Sequence, residues 1–351
     1  MAFSPNCLPT AVGSLSYTDA LEAVDLVLGH LPEIPFWPQL PRRSFRENMY
    51  VQYSEGFPGV KLDMENEKIV VDRALAEDGL EALYLAYLED KVDEWSIDRS
   101  YAAGLYAFLE RNWAERKPVA LKGHVTGPIS MGLQVTDQNL RPILYDEILA
   151  DALAKHLRLK AAWVEQQLRS IHDEVIVFID EPYMSAFGSA FVSLSREQVI
   201  IALEEVFAGL SCLKGVHCCG NTDWSILLET SAQILSVDAH NYAESLSLYP
   251  EAVSVFLDRG GSIAWGIIPQ DEPGIEKATA ENLVEKLEAA WELLVAKGIS
   301  KDDILTSCFI TPSCGLGSVP PAIAARGLEL TAQVSQAVRK KYGLNEQESS
   351  E

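Results

Sequence analysis

The chain has 351 residues, 48% of them apolar, and a formal net charge of −23. That is enough apolar material for one large buried core, and it argues against overall disorder. Such acidity repels phosphate backbones and anionic lipid, so nucleic acid and membrane surfaces are poor partners, and no apolar run approaches the ~20 residues of a membrane span. The first residues lack a basic segment leading into an apolar stretch, which predicts a cytoplasmic protein.

In chain order, residues 9–15 read as a first strand ending at Gly13-Ser14. Residues 32–41 are Pro-rich and read as a rigid loop, followed by a basic cluster, Arg42, Arg43 and Arg46, in an otherwise acidic protein. Residues 61–71 have the pattern of a hairpin that turns at 65–67. Residues 119–125 form an apolar strand pattern that stops at Thr126-Gly127-Pro128. A helical pattern covers 146–171. Residues 175–179 form a buried strand pattern that stops at Asp180-Glu181-Pro182. Further helical patterns cover 196–213, 280–297 and 321–340, two of them opened by Ser195 and Thr279 as caps. Strand patterns at 215–219, 234–237, 262–268 and 305–310 end at Gly220-Asn221, Asp238, Pro269 and Thr311-Pro312. Near-continuous apolar strands alternating with amphipathic helices predict a parallel sheet covered on its outside, and this many units predict a single (β/α)8 barrel over residues 1–344, with 345–351 as a frayed polar tail.

The polar residues fall at the C-terminal ends of the strand patterns, which converge on one mouth in such a barrel. Val216-His217-Cys218-Cys219-Gly220-Asn221 supplies a His-x-Cys pair, and i and i+2 on a strand share a face. Thr311-Pro312-Ser313-Cys314-Gly315 supplies a distant second Cys. His217, Cys219 and Cys314 are therefore predicted to ligate zinc, with Asp238, narrowly preferred to His240, as a fourth ligand. Cys218 should point away, and Cys212 and Cys308 lie in apolar contexts as core residues. A zinc site of this kind holds a substrate thiol as its thiolate at neutral pH, which predicts a thiol methyltransferase. Asp180 must be paired or face a cavity, and it suits the amino group of an amino-acid substrate. Gly13-Ser14 suits its carboxylate. His124 lines the same cavity on this reading, and no role is assigned to the Trp and Tyr residues.

These motifs resemble a known superfamily. Ala11-Val12-Gly13-Ser14-Leu15, Thr126-Gly127-Pro128, Ile179-Asp180-Glu181-Pro182, His217-x-Cys219 and Cys314-Gly315-Leu316 are similar to segments of the catalytic barrel of cobalamin-independent methionine synthase. The same superfamily includes uroporphyrinogen decarboxylase and the zinc methyltransferases that move methyl from a corrinoid to coenzyme M. The resemblance implies zinc on His217, Cys219 and Cys314, with Asp238 where methionine synthase has a ligand Glu. It implies Ser14 on the substrate carboxylate and Asp180 on its amino group. The folate-handling residues of the family lack counterparts. A Glu after Asp-Glu-Pro would fall at about Ala186, the proton-donating His near 267–269, and an amine-binding Glu near Arg43. The pattern therefore implies a different methyl donor, a methylcorrinoid carried by a separate corrinoid protein, with homocysteine as the preferred thiol and Arg42, Arg43 and Arg46 along one wall. The alternatives are a decarboxylase of the porphyrinogen type and a non-catalytic corrinoid- or zinc-binding accessory protein.

Overall fold

A computed structural model describes residues 3–190 and 192–344; the tail expected at 345–351 lies outside the described residues. The strands are β1 (Leu8–Pro9), β2 (Val60–Asp63), β3 (Lys68–Val71), β4 (Leu121–Thr126), β5 (Thr136–Asp137), β6 (Val175–Asp180), β7 (Leu213–Cys218), β8 (Ile234–Val237), β9 (Ser262–Ile268) and β10 (Cys308–Pro312). Seven of them form one curled, all-parallel sheet in the order β1-β10-β9-β8-β7-β6-β4, surrounded by helices. The expected hairpin is present: β2 pairs antiparallel with β3, and β5 adds to β3 in a small second sheet.

Among the described residues, regular pairing in the large sheet accounts for seven strands rather than eight. Between the edges of the large sheet lies the Pro-rich segment expected to be a loop. Phe36 makes a parallel bridge to Lys122 and Gln39 one to Ser14. Pro35 and Pro38 have no N–H to donate, so single bridges form there instead of a continuous ladder. The first strand is likewise shorter than the expected 9–15, with isolated bridges at Ser14 and Leu15. The last strand begins at Cys308 because residues expected at its start belong to the short helix Lys301–Thr306.

The helix pattern at 146–171 becomes Glu147–Arg169, capped by Asp146, which accepts from Ile148 N and Leu149 N. Arg196–Phe207 and Ala280–Val295 each begin with a reciprocal capping box, Ser195 with Gln198 and Thr279 with Asn282. Arg196–Phe207 ends well before the expected 213. Among the described residues, no helix is long and apolar enough to cross a membrane.

Two cores result. The larger lies between the helices and the outer face of the sheet. The smaller gathers Leu8, Ala120, Ile176, Phe178, Ile234, Ala264 and Phe309 from the sheet strands and their approaches, with Ile34 from the Pro-rich segment. By the two-residue period of a strand, these share one face with Lys122, His124, Thr126, Asp180, Ser236 and Thr311 further along the same chain segments. The inner face thus changes from an apolar floor to polar residues at its C-terminal end.

Candidate active site

That polar end holds most of the expected site. The ligand atoms of His217, Cys219 and Cys314 lie within 4.8 Å of one another. His217 is 2% exposed, and its Nδ1 is 2.9 Å from the Ser236 hydroxyl on the neighbouring strand. That contact orients the ring and leaves Nε2 buried with no partner. Cys218 behaves as the alternation requires. It is buried on the other side, its Sγ lies 3.5 Å from Gly220 O, and burial pushes its thiol up to about 12. Cys219 differs: a hydrogen bond from Cys314 and the nearby His217 hold it well below the usual thiol range. Cys314 is correspondingly raised by Cys219 and by burial, so one proton serves two sulfurs.

Two thiols and an unpartnered imidazole nitrogen are the donor set of a sulfur-rich zinc site, whose ligand atoms stand roughly 3.5–4 Å apart around the metal. The residues present fit the ion. Asp238 is not part of this group. It caps the helix Ala239–Leu246, and its two oxygens accept from Asn241 N at 2.9 Å and Asn241 Nδ2 at 2.8 Å. His240 faces elsewhere, with Nδ1 3.0 Å from Ile267 O and Nε2 3.4 Å from Lys286. Among the described residues the protein therefore gathers three donors here.

Asp180 stands beside His217 in the β6–β7 register. It is 8% exposed, its Oδ1 has no partner, and burial raises it to about 6 against the pull of His217 and Lys122. Its neighbour Glu181 points the other way. It accepts from Ile129 N, Ser130 N and Ser130 Oγ, and pins the Asp180 turn to the start of the helix Pro128–Gln134. Ser14 lies against the loop that carries Cys314: a Cβ on Gly315 would come 2.0 Å from its hydroxyl, and its carbonyl accepts from Leu316 N at 2.9 Å. His124 is buried with both ring nitrogens unpartnered, and it stacks on Trp37 at 4.0 Å between centroids. Thr126, Thr311 and Ser313 also carry buried, unpartnered hydroxyls.

Other expectations fare differently. The three arginines each engage the protein itself. Arg42 binds Gly317 O and Ser318 O of the Cys314 loop, Arg43 pairs with the buried Glu47 at 2.7 Å, and Arg46 reaches Ser100 Oγ and the Tyr101 ring. The sequence reading passed over Lys122, Tyr50 and Tyr53. Tyr50 is raised by burial and by the charges of Glu181, Cys219 and Asp180 around it, and Tyr53 donates to His124 O at 2.6 Å. The signal for Lys122 was present: it is the one charge in an apolar strand pattern.

No protein-family model matches the chain, and no curated protein matches it. Solved structures do. A B12-independent methionine synthase from Shewanella sp. W3-18-1, in complex with selenomethionine, superposes with a TM-score of 0.62 at 18% identity, covering 96% of this chain and 99% of that one. A methyltransferase from Methanosarcina mazei superposes with a TM-score of 0.55 at 14% identity, covering 95% and 94%. The chain has the fold of these two proteins. The likeness bears out the α/β architecture with a parallel sheet inside a helical layer that the sequence implied.

Proposed function

We propose that the protein is a zinc-dependent methyltransferase that moves a methyl group from a methylcorrinoid to a small thiol, with homocysteine as the preferred acceptor and methionine as product. The observation that carries this reading is the convergence of His217, Cys219 and Cys314, with a buried, unpartnered His217 Nε2 beside the two thiols. The likeness to a methionine synthase and a methyltransferase supports methyl transfer. A zinc ion bound there supplies the charge that keeps an acceptor thiol deprotonated at neutral pH.

The remaining work falls to the chain. Asp180 presents a carboxylate oxygen to the acceptor's ammonium group, and Ser14 presents its hydroxyl to the carboxylate. A methylcorrinoid would supply the methyl group as a cation equivalent and keep the electron pair of the bond it gives up, while Asp180 and Ser14 would hold the acceptor, its thiol proton already lost to solvent, with the sulfur free to attack. No folate nitrogen needs protonating, which accords with the missing His at 267–269. We read the sheet as a closed (β/α)8 barrel with residues 33–39 as its irregular eighth stave.

The test is metal analysis of purified protein and of Cys314→Ser, each then mixed with methylcobalamin and homocysteine. Stoichiometric zinc, weakened in the variant, with methionine formed by the parent alone, is the expected result. Absence of zinc from the parent under metal-replete conditions refutes the reading.

A further inference from the structure

We propose that Lys122 is a positioning residue for the acceptor pocket: its buried ammonium group fixes the loop that carries Ser14 and offsets the charge of Asp180, and thereby sets the preference for thiols that bear an amino-acid group. This rests on the reading above, in which Ser14 and Asp180 hold the acceptor.

Lys122 is 0% exposed and lies on the inner face of β4, two residues before His124. Its stem crosses the apolar floor, and its Nζ stands 4.3 Å from the centroid of the Phe178 ring. A methionine would fill that volume without the cost of burying a charge, so packing gives no reason for a lysine. Two contacts do. Nζ donates to Val12 O at 2.6 Å, and Val12 is two residues before Ser14. Phe178 is two residues before Asp180 on the same face of β6, which puts the carboxylate about 7 Å further along the strand from the ring under the ammonium. No cation pairs with Asp180 within salt-bridge distance among the described residues, and its Oδ1 stays open.

The arrangement has a chemical purpose. A zinc ion with three thiolates carries a net charge of −1, and the acceptor's carboxylate and Asp180 add two more negative charges, against which the acceptor's ammonium supplies one positive charge. Lys122 adds another, built into the floor. Burial lowers the Lys122 ammonium to about 8, and Asp180 opposes that shift.

The experiment measures binding rather than turnover. Zinc-loaded parent, Lys122→Met, Lys122→Gln, Asp180→Asn and the Lys122→Met/Asp180→Asn double variant are titrated calorimetrically with homocysteine and with 2-mercaptoethanol, which lacks both charged groups. Zinc affinity of each protein is measured by chelator competition. The expected result is that Lys122→Met weakens homocysteine about tenfold or more while 2-mercaptoethanol and zinc change little. Lys122→Gln, which keeps a donor for Val12 O, should lose less. The double variant should lose less than the product of the single losses. Equal loss for both thiols in Lys122→Met, or independent losses in the double variant, overturns the proposal. If Asp180→Asn abolishes the preference for homocysteine and neither Lys122 variant touches it, the proposal fails while the acceptor reading stands. A parent that binds both thiols alike refutes the acceptor reading and this proposal with it.

Discussion

His156 ties the fold around the site to pH, and the size of the effect follows from its surroundings. It lies on the helix Glu147–Arg169, fully buried. The Trp95 indole N–H donates to Nδ1 at 2.7 Å, so Nε2 carries the proton and donates to Tyr53 O, also at 2.7 Å. The Tyr53 hydroxyl in turn donates to His124 O. A second proton would have to sit on Nδ1, against the indole donor. Burial first, then the charge of Lys160, lowers His156 from 6.5 to about 3. Because the folded group binds fewer protons than the unfolded one, stability falls as pH drops below 6.5 and keeps falling to about 3. The full loss is about 5 kcal/mol, of which about 1.3 kcal/mol falls between pH 7.5 and 5.5. Urea unfolding of the parent and of His156→Gln at both pH values isolates this contribution, because other titrating groups such as His124 are common to both proteins. The parent should lose about 1.3 kcal/mol more than the variant over that interval. Equal losses in the two proteins would show that His156 accepts a proton in the folded state, and the hydrogen-bond assignment would be wrong.

Four further substitutions test particular contacts. In Gly13→Ala the new Cβ would come 2.5 Å from His124 Nδ1, at a φ of +153°, with the ring held from behind by Trp37. A loss of about 2–4 kcal/mol in urea unfolding is expected, and a loss under about 0.5 would refute the close packing. Arg43→Ala leaves the buried Glu47 without its cation and should cost about 2 kcal/mol by the same assay; an unchanged midpoint would mean that the pair contributes nothing. Cys218→Ser should keep zinc affinity near the parent's, whereas Cys219→Ser should lose about a hundredfold or more in chelator competition. Equal losses would contradict the assignment of Cys219 to the inner face and Cys218 to the outer.

What the sequence disclosed follows from how local each signal is. Strand alternation separated Cys218 from Cys219 correctly because a two-residue period is set within one strand. Apolar runs located β6, β8 and β9 to within a residue or two for the same reason. The Pro-rich segment escaped because its partners are Ser14 and Lys122, far away along the chain, and proline hides strand character from any local pattern. Asp238 looked like a ligand by its place after a strand, yet a helix begins at the next residue, and an Asp at such a start is also a cap. The arginine cluster suggested an open basic wall. The structure instead gives each arginine a partner in the protein, one of them a glutamate four residues on in the next turn of chain. Lys122 shows the opposite failure: a charge inside an apolar strand was visible and its use was not, since the loop and carboxylate it serves come from two other parts of the chain.

The central claim is that three protein donors hold a zinc ion whose fourth position takes the acceptor sulfur. X-ray absorption at the zinc edge tests it most directly, on zinc-loaded protein before and after homocysteine is added. The account predicts two sulfur ligands at about 2.3 Å in the resting protein and three once homocysteine is present. An unchanged sulfur count on saturation with homocysteine, or a zinc bound by oxygen and nitrogen alone, would contradict it.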